Sequence, residues 1–314
     1  MVKIGGVSID VSHPRAFSDV INELGLDMRY THICKKSIFR TAEDFEWFQS
    51  KYDAKGVSAP EEMADEIDIA FIQACNWEKH LDLAMPFINK GKPVFIDKPI
   101  VGSVKDAKRI RELVANGAKI YGASAIRHAK ELREFLALPE SERGKVITVY
   151  GVSGCNEFDY GIHIVEAMSE VAGAKAVSNK YVGTNEVDGV KCESYAIRYE
   201  NGVTGMYTTQ VTKWAPFSMT VVTTTGVYSF APNSDFYANM LTEVYNQMTK
   251  GESRLADIET IVNCCEIMIC GKKSRDELGG NEVAIDELEE KDGFDGYSFE
   301  AKYAMTANPN VFKG

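Results

Sequence analysis

Lys98, Asp159 and His163 are the residues of this 314-residue chain whose types and spacing could do chemistry. Ile96-Asp97-Lys98-Pro99 closes a short apolar run, and Asp159-Tyr160-Gly161-Ile162-His163 opens a helical pattern. A lysine at the carboxyl end of a strand can orient a hydroxyl and favour its deprotonation, or donate a hydrogen bond to a carbonyl. A carboxylate and an imidazole four residues apart share one helix face, so Asp159 can orient His163 or sit on a substrate. Histidine suits proton transfer near neutral pH. Each segment also has a plainer reading: Lys98 as a loop lysine, and the Asp159/His163 pair as a helix cap with a surface contact.

The elements that must position these residues follow from the apolar periodicity. The first third alternates in a βαβ rhythm, with strands expected at Met1 to Ser8, Met28 to Cys34, Ile67 to Cys75, Pro93 to Ile96 and Lys119 to Ala123. Helices fall between them at Pro14 to Leu24, Ala42 to Tyr52, Trp77 to Lys90 and Val104 to Ala115, the last capped by Ser103. That alternation predicts a Rossmann-type, doubly wound parallel sheet over residues 1–123, with ligands outside the carboxyl ends of its strands. Residues 124–314 change rhythm. A helix at Lys130 to Ala137, a strand at Lys145 to Val152 and a helix at Tyr160 to Val171 precede several β-rich stretches. These run from Ala176 to Gly183, Glu193 to Tyr199, Val203 to Thr212, Ser218 to Thr224 and Gly226 to Phe230, and helices follow at Phe236 to Thr249 and Leu255 to Gly271. The expected second domain is an α+β unit: an open, mostly antiparallel sheet with helices on one face, serving substrate binding and oligomerisation.

Composition narrows the function classes. A net charge of −11 without a dominant basic stripe argues against nucleic acid and anionic membrane as partners. No apolar run is long enough to span a bilayer and no signal region opens the chain, so a cytoplasmic location is expected. Seven scattered cysteines do not form a disulfide framework, and Cys264, Cys265 and Cys270 read as small buried hydrophobes. No histidine stands at ligand spacing with cysteines, so no metal is expected.

Three segments in order resemble one family, the glucose–fructose oxidoreductase, inositol dehydrogenase and rhizopine-catabolism group (Gfo/Idh/MocA). DIAFIQACNWEKHLDLAMPFINKGKPVFIDKPI resembles its strand, helix, Gly-Lys, strand and Glu-Lys-Pro stretch. DYGIHIVEAMSEVAG is similar to its Asp-x-Gly-x-His segment, and YENGVTGMYTT to the Asn-Gly hairpin of its open sheet. The resemblance implies an NAD(P)-dependent dehydrogenase or reductase acting on a CH–OH group of a sugar, polyol or sugar derivative. Lys98 matches the lysine that holds the reacting hydroxyl, His163 the acid/base and Asp159 the substrate-binding carboxylate. Arg127 stands where the family often has an arginine, either on substrate or in a structural ion pair. His80 matches a family histidine near the cofactor; Trp77, where an asparagine is common, Asp97, in place of the family's Glu, and Cys75 are the other expected cofactor contacts there. A homodimer or homotetramer through the second sheet is also implied, on a face carrying Val203, Met206, Tyr207 and Val211.

Two departures accompany the resemblance. The family's G-x-G-x-x-G after the first strand is replaced by GGVSIDVSHPRAF. In that loop Gly6, Ser8, Asp10, Ser12 and His13 become the candidate cofactor contacts; Ser12 and the backbone amides can bind phosphate, whereas an inward Asp10 would repel it. His13 can touch phosphate or substrate, or cap the helix. After the second strand, where NAD-selective folds often place an acid, the chain has Cys34-Lys35-Lys36-Ser37 with Arg40 close by. Lys35 and Lys36 tilt the expectation towards NADP over NAD, with a solvated lysine pair as the alternative. A non-redox sensor that kept the fold, or an enzyme using transient oxidation for elimination or glycosidic cleavage, remain the competing functions.

Overall fold

In the computed structural model, which describes residues 1–122 and 124–313, six short apolar runs pair in parallel. They are β1 (Val2–Val7), β2 (Met28–Cys34), β3 (Lys55–Val57), β4 (Ile69–Ile72), β5 (Val94–Ile96) and β6 (Ile120–Gly122), in spatial order β3-β2-β1-β4-β5-β6. All four residues of β4 are buried, as a central strand covered on both faces requires. The helices between are α1 (His13–Leu24), α2 (Ala42–Tyr52), α3 (His80–Ile88) and α4 (Val104–Ala115). Local chemistry sets their ends. Pro14 sits in the first turn of α1, where its missing amide hydrogen costs nothing, and Gly25 ends that helix at a φ of 62°. Thr41 and Asp44 form a capping box on α2, and Ser103 Oγ accepts from the Asp106 amide at the start of α4. Ala123, the last residue of the strand expected at Lys119 to Ala123, lies outside the described residues.

The second half starts with α5 (Lys130–Ala137), α6 (Glu140–Arg143), β7 (Val146–Gly154) and α7 (Gly161–Ala172). It continues with β8 (Ala176–Val187), β9 (Val190–Tyr199), β10 (Thr204–Gln210), β11 (Ser218–Thr223) and β12 (Val227–Phe230). The last elements are α8 (Phe236–Lys250), α9 (Ile258–Asp276), β13 (Val283–Ala284) and α10 (Gly296–Thr306). Seven strands form the second sheet in the order β12-β11-β7-β10-β9-β8-β13. Only its β7–β10 pair is parallel. The chain is thus a Rossmann-type parallel sheet followed by a mostly antiparallel one with α7 and α9 on one face. Gly151 and Gly205 let α7 close on that sheet, because a Cβ at either would fall within 3.0 Å of Met168.

The alternation of β10 corrects the expected outer face. Tyr207 points into the core and Val203, just before the strand, is buried too, while Tyr150, Val182 and Met206 face outward. A second difference concerns coverage of the first sheet. Met240, Leu241 and Val244 of α8 pack with Phe17 and Ile21 of α1, so the second half of the chain roofs one side of the first sheet. Arg111 of α4 pairs with Glu259 and Glu266 of α9, tying the two halves together elsewhere.

Four elements had no counterpart in the periodicity: the short β3, α6 and β13, and the C-terminal helix α10. Helix α10 buries only Gly296 and Glu300 fully, so it shows no apolar stripe. Its start is nevertheless local, with Asp295 accepting from the Ser298 amide at 2.8 Å.

Candidate active site

The strand order reverses between β1 and β4, so the loops leaving their carboxyl ends diverge and open a crevice. Lys98 follows β5 at one edge of that crevice, and the turn before α7 faces it from the second half. Lys98 Nζ donates to Asp159 Oδ1 at 2.8 Å and to the Asp159 carbonyl at 3.0 Å, and lies 5.3 Å from the centre of the Tyr160 ring. The Lys98–Pro99 peptide is cis. Burial alone would lower the Lys98 ammonium, but Asp159 and Asp97 outweigh it and hold the group above its ordinary value. Lys98 is therefore a cation and a donor.

Asp159 is placed by its own turn. Asn156 Oδ1 accepts from the amides of Phe158 and Asp159 at 2.9 and 2.8 Å. Gly161 then lets α7 begin against α9, since a Cβ there would lie 2.8 Å from Met268 Cε. His163 follows in the first turn. Its Nδ1 is 2.5 Å from Ser124 Oγ, with Phe217 edge-on at 5.3 Å between ring centres. Burial, then Lys98 and His13, press the imidazole well below the usual histidine range, so it is neutral at pH 7. In the tautomer whose Nδ1–H donates to Ser124, Nε2 keeps its lone pair and can accept a proton. Ser124 and Glu166 were not anticipated: Ser124 lies outside the matched segments, and Glu166 lies beyond the Asp-x-Gly-x-His core of its own. Glu166 Oε2 accepts from the Ser124 amide at 2.9 Å, and burial raises its carboxyl to about 7 against the pull of Arg127 and that amide.

His13 stands at the start of α1 and reaches the same place. Its Nδ1 lies 2.5 Å from Asp97 Oδ2, and its ring stacks on Phe17 with centroids 5.2 Å apart. Burial pushes the Asp97 carboxyl up, but His13 and Lys98 more than reverse this and leave it below its ordinary value. Ser12, His13, Asp97, Lys98, Tyr160 and His163 share the lining of one cavity of about 150 Å³ with Phe217 and Tyr237. A cation, a neutral imidazole and aromatic walls thus meet at one small space.

Other expected residues are placed differently. Arg127 is buried behind α7, with Nη1 on the Glu166 carbonyl at 2.8 Å and Nη2 on Glu170 at 2.5 Å, outside the cavity lining. His80 is fully buried and spans the Ala74 carbonyl at 2.8 Å and the Ile100 carbonyl at 3.4 Å, a brace between two loops. Gly6 lies within β1, where a Cβ would meet Ile33 and Tyr30 at 2.7 and 3.0 Å, so close packing explains it. Ser8 takes a φ of +74°, turning the chain out of β1, and its Oγ accepts from the Asp10 amide. Asp10 does face inward: Oδ2 accepts from the Cys75 amide at 3.1 Å, and Oδ1 is buried without a partner. Lys35 and Lys36 are exposed. Arg40 is turned inward onto the carbonyls of Ile9 and Asp10. Trp77 is buried between Phe158 and Phe299, its Nε1 donating to the Phe294 carbonyl at 3.0 Å. Asp10, Cys75 and Glu300 bring ligand-type atoms within 4.8 Å of one another, but both Glu300 oxygens already lie 2.7 Å from Lys79 Nζ. That trio reads as packing of the C-terminal helix.

Residues 19–124 match the family model described as "Oxidoreductase family, NAD-binding Rossmann fold" (Gfo/Idh/MocA). The match begins at Asp19, beyond the loop that lacks the glycines. No curated protein sequence matches the chain. Among solved structures, the chain is similar to myo-inositol dehydrogenase from Lactobacillus casei, crystallised with NAD(H) and myo-inositol, at 15% identity and a TM-score of 0.76 over 95% of this chain and 99% of that one. Apo scyllo-inositol dehydrogenase from the same organism is similar at 13% identity and a TM-score of 0.75, over 91% and 98%. An oxidoreductase from Thermotoga maritima is similar at 17% identity and 0.76, over 92% and 99%. At these identities the likeness is one of fold. Residues 19–124 thus match that family's NAD-binding Rossmann model, and the chain as a whole shares the fold of these dehydrogenases.

Proposed function

We propose that this chain is a nicotinamide-dependent dehydrogenase or reductase that acts on a CH–OH group of a polyol or sugar, with the inositols the leading candidates. The observation that carries the reading is the pairing of a protonated Lys98 with a neutral His163 on one cavity. Lys98 Nζ would bind the reacting oxygen and stabilise its developing negative charge, while His163 would take the hydroxyl proton at Nε2. Asp159 would keep the ammonium aimed at the cavity and hold a neighbouring hydroxyl.

The chain has groups suited to a dinucleotide. Helix α1 has no acid in its first turn and Ser12 makes no side-chain cap, which leaves donors for a phosphate at its N-terminus. Asp10 Oδ1 is a buried acceptor without a partner, which a ribose hydroxyl would satisfy. His13 and Tyr237 would wall the nicotinamide, which supplies the hydride chemistry when bound. Lys35 and Lys36 are free to meet a 2′-phosphate, so NADP is favoured. Seven free cysteines suit a reducing, cytoplasmic setting, and the outward face of the second sheet suits a homodimer or homotetramer.

Fluorescence titration with NADH and NADPH, followed by turnover on a panel of inositols and sugars, tests the reading. Binding of one nucleotide and reduction of its oxidised form by a polyol is expected. Absence of binding to either, by the folded chain and by folded variants loosened at Phe312 or Tyr303, would overturn it. Reversal of Lys35 and Lys36 to Glu should weaken NADPH at least tenfold relative to NADH if the lysines meet the phosphate.

A further inference from the structure

The C-terminal segment lies across the loops at the carboxyl ends of β1, β2 and β4. Residues 294–312 touch the loops after β1, β2 and β4 together. At the β4 loop, Glu300 accepts from Asn76 Nδ2 at 3.2 Å and pairs with Lys79 at 2.7 Å. At the β1 loop, the Glu300 carboxylate comes within 4.8 Å of the Asp10 carboxylate, whose Oδ1 has no partner among the described residues. At the β2 loop, Tyr303 packs on Phe39 at 5.8 Å, and Arg40 bridges the Asp10 and Asn308 carbonyls at 2.8 and 3.0 Å. The end is pinned as well: Arg15 Nη1 donates to the Val311 carbonyl, and Phe312 is buried against Trp47 and Phe48.

We propose that residues 294–312 are a strap that closes the dinucleotide trough, so that the cofactor binds only a form from which this strap has lifted. The inference rests on the reading of that trough as a nicotinamide dinucleotide site. Its physical basis is exclusion together with a built-in weakness. A buried carboxylate from the strap and one from the β1 loop face each other with Asp10 Oδ1 unsatisfied, so the closed form keeps an uncompensated polar atom. The anchoring contacts at Phe312 and Tyr303 offset it. Nucleotide affinity is then scaled down by the small open fraction, and any ligand that takes the trough must expose the strap.

Hydrogen exchange of the full chain, read by mass spectrometry with and without saturating NADH or NADPH, tests this alongside nucleotide titration of Phe312→Ala and Tyr303→Ala. Faster exchange across 296–312 on nucleotide binding is expected, with at least tenfold tighter binding by either variant. Binding by a variant where the wild type binds neither nucleotide would support the strap equally. Nucleotide binding with unchanged exchange at 296–312 and unchanged affinity in both variants would overturn the strap and leave the oxidoreductase reading standing. If neither the wild type nor a variant with a fast-exchanging strap binds nucleotide, the oxidoreductase reading falls and the strap proposal with it. Should Phe312→Ala fail to fold, Tyr303→Ala carries the same comparison.

Discussion

Lys98 Nζ and Asp159 Oδ1, 61 positions apart in the chain, meet at 2.8 Å with both side chains about nine-tenths buried. The bond joins the carboxyl edge of the parallel sheet to the turn before α7, so one contact both closes the crevice and sets the charge inside it. An ammonium held above its ordinary pKa cannot serve as the base, so the proposed reaction requires His163 to accept the proton.

Replacing Lys98 with Met should therefore lower kcat by about two decades or more, with NADH affinity little changed. It also strands Asp159, at a cost of about 3 kcal/mol in stability, as removal of one partner from a buried pair does. Steady-state kinetics on folded protein, with urea unfolding in parallel, separates the two effects. Wild-type kcat in Lys98→Met would refute the assignment.

Ser124 is a positioning residue for His163, and Ser124→Ala should reduce kcat about tenfold, the weight of one buried hydrogen bond, without raising KM. Because the His163 imidazole is held well below its ordinary pKa, the wild-type pH–rate profile should show no acid limb at 6 to 7 attributable to an ordinary histidine (about 6.5). The serine variant should displace whatever acid limb is found. A profile and kcat identical to wild type would remove Ser124 from the site.

Glu166 binds a proton in the folded state up to about 7, against an unfolded value of 4.5. Between those values the native state holds the extra proton, so its contribution to stability falls as pH rises. Glu166→Gln imitates the protonated form and should be close to wild type at pH 5 but more stable by about 2–3 kcal/mol at pH 8. Burial lowers His128 to about 3. Below 6.5 the unfolded state gains a proton there that the native state lacks, so acidification towards 3 destabilises the fold. Thermal melts from pH 5 to 8 on both proteins check the opposing slopes.

The outward face of the second sheet carries Tyr150, Val182 and Met206, all more than a third exposed. If it is the subunit interface, Tyr150→Glu with Met206→Glu should convert the assembly to monomers in sedimentation velocity, because two unpaired charges at an interface centre each cost several kcal/mol. Unchanged sedimentation would move the interface elsewhere.

Sequence alone determined the parts whose causes are local. Period-2 and period-3.6 apolar patterns, Pro14 and Gly25, and the DKP and DYGIH segments were enough to place the parallel sheet, the second sheet, Lys98, Asp159 and His163. It did not reach what depends on which faces meet. Ser124 matters only because the turn after β6 brings it against His163 and Glu166 of α7; it lies outside the matched segments, and Glu166 lies beyond the Asp-x-Gly-x-His core of one. Arg127 and His80 looked like ligand contacts, yet packing turns one onto Glu170 and closes the other between two carbonyls. The orientation of Val203 and Tyr207 hinged on strand register, where a shift of one residue exchanges core for surface. Above all, the polar helix α10 has no apolar stripe of its own to read. The helix is held by Lys79 and Asn76 and its flanks by Trp77 and Arg40, contacts at sequence separations above 200, and only the tertiary structure decides that it lies over the loops after β1, β2 and β4.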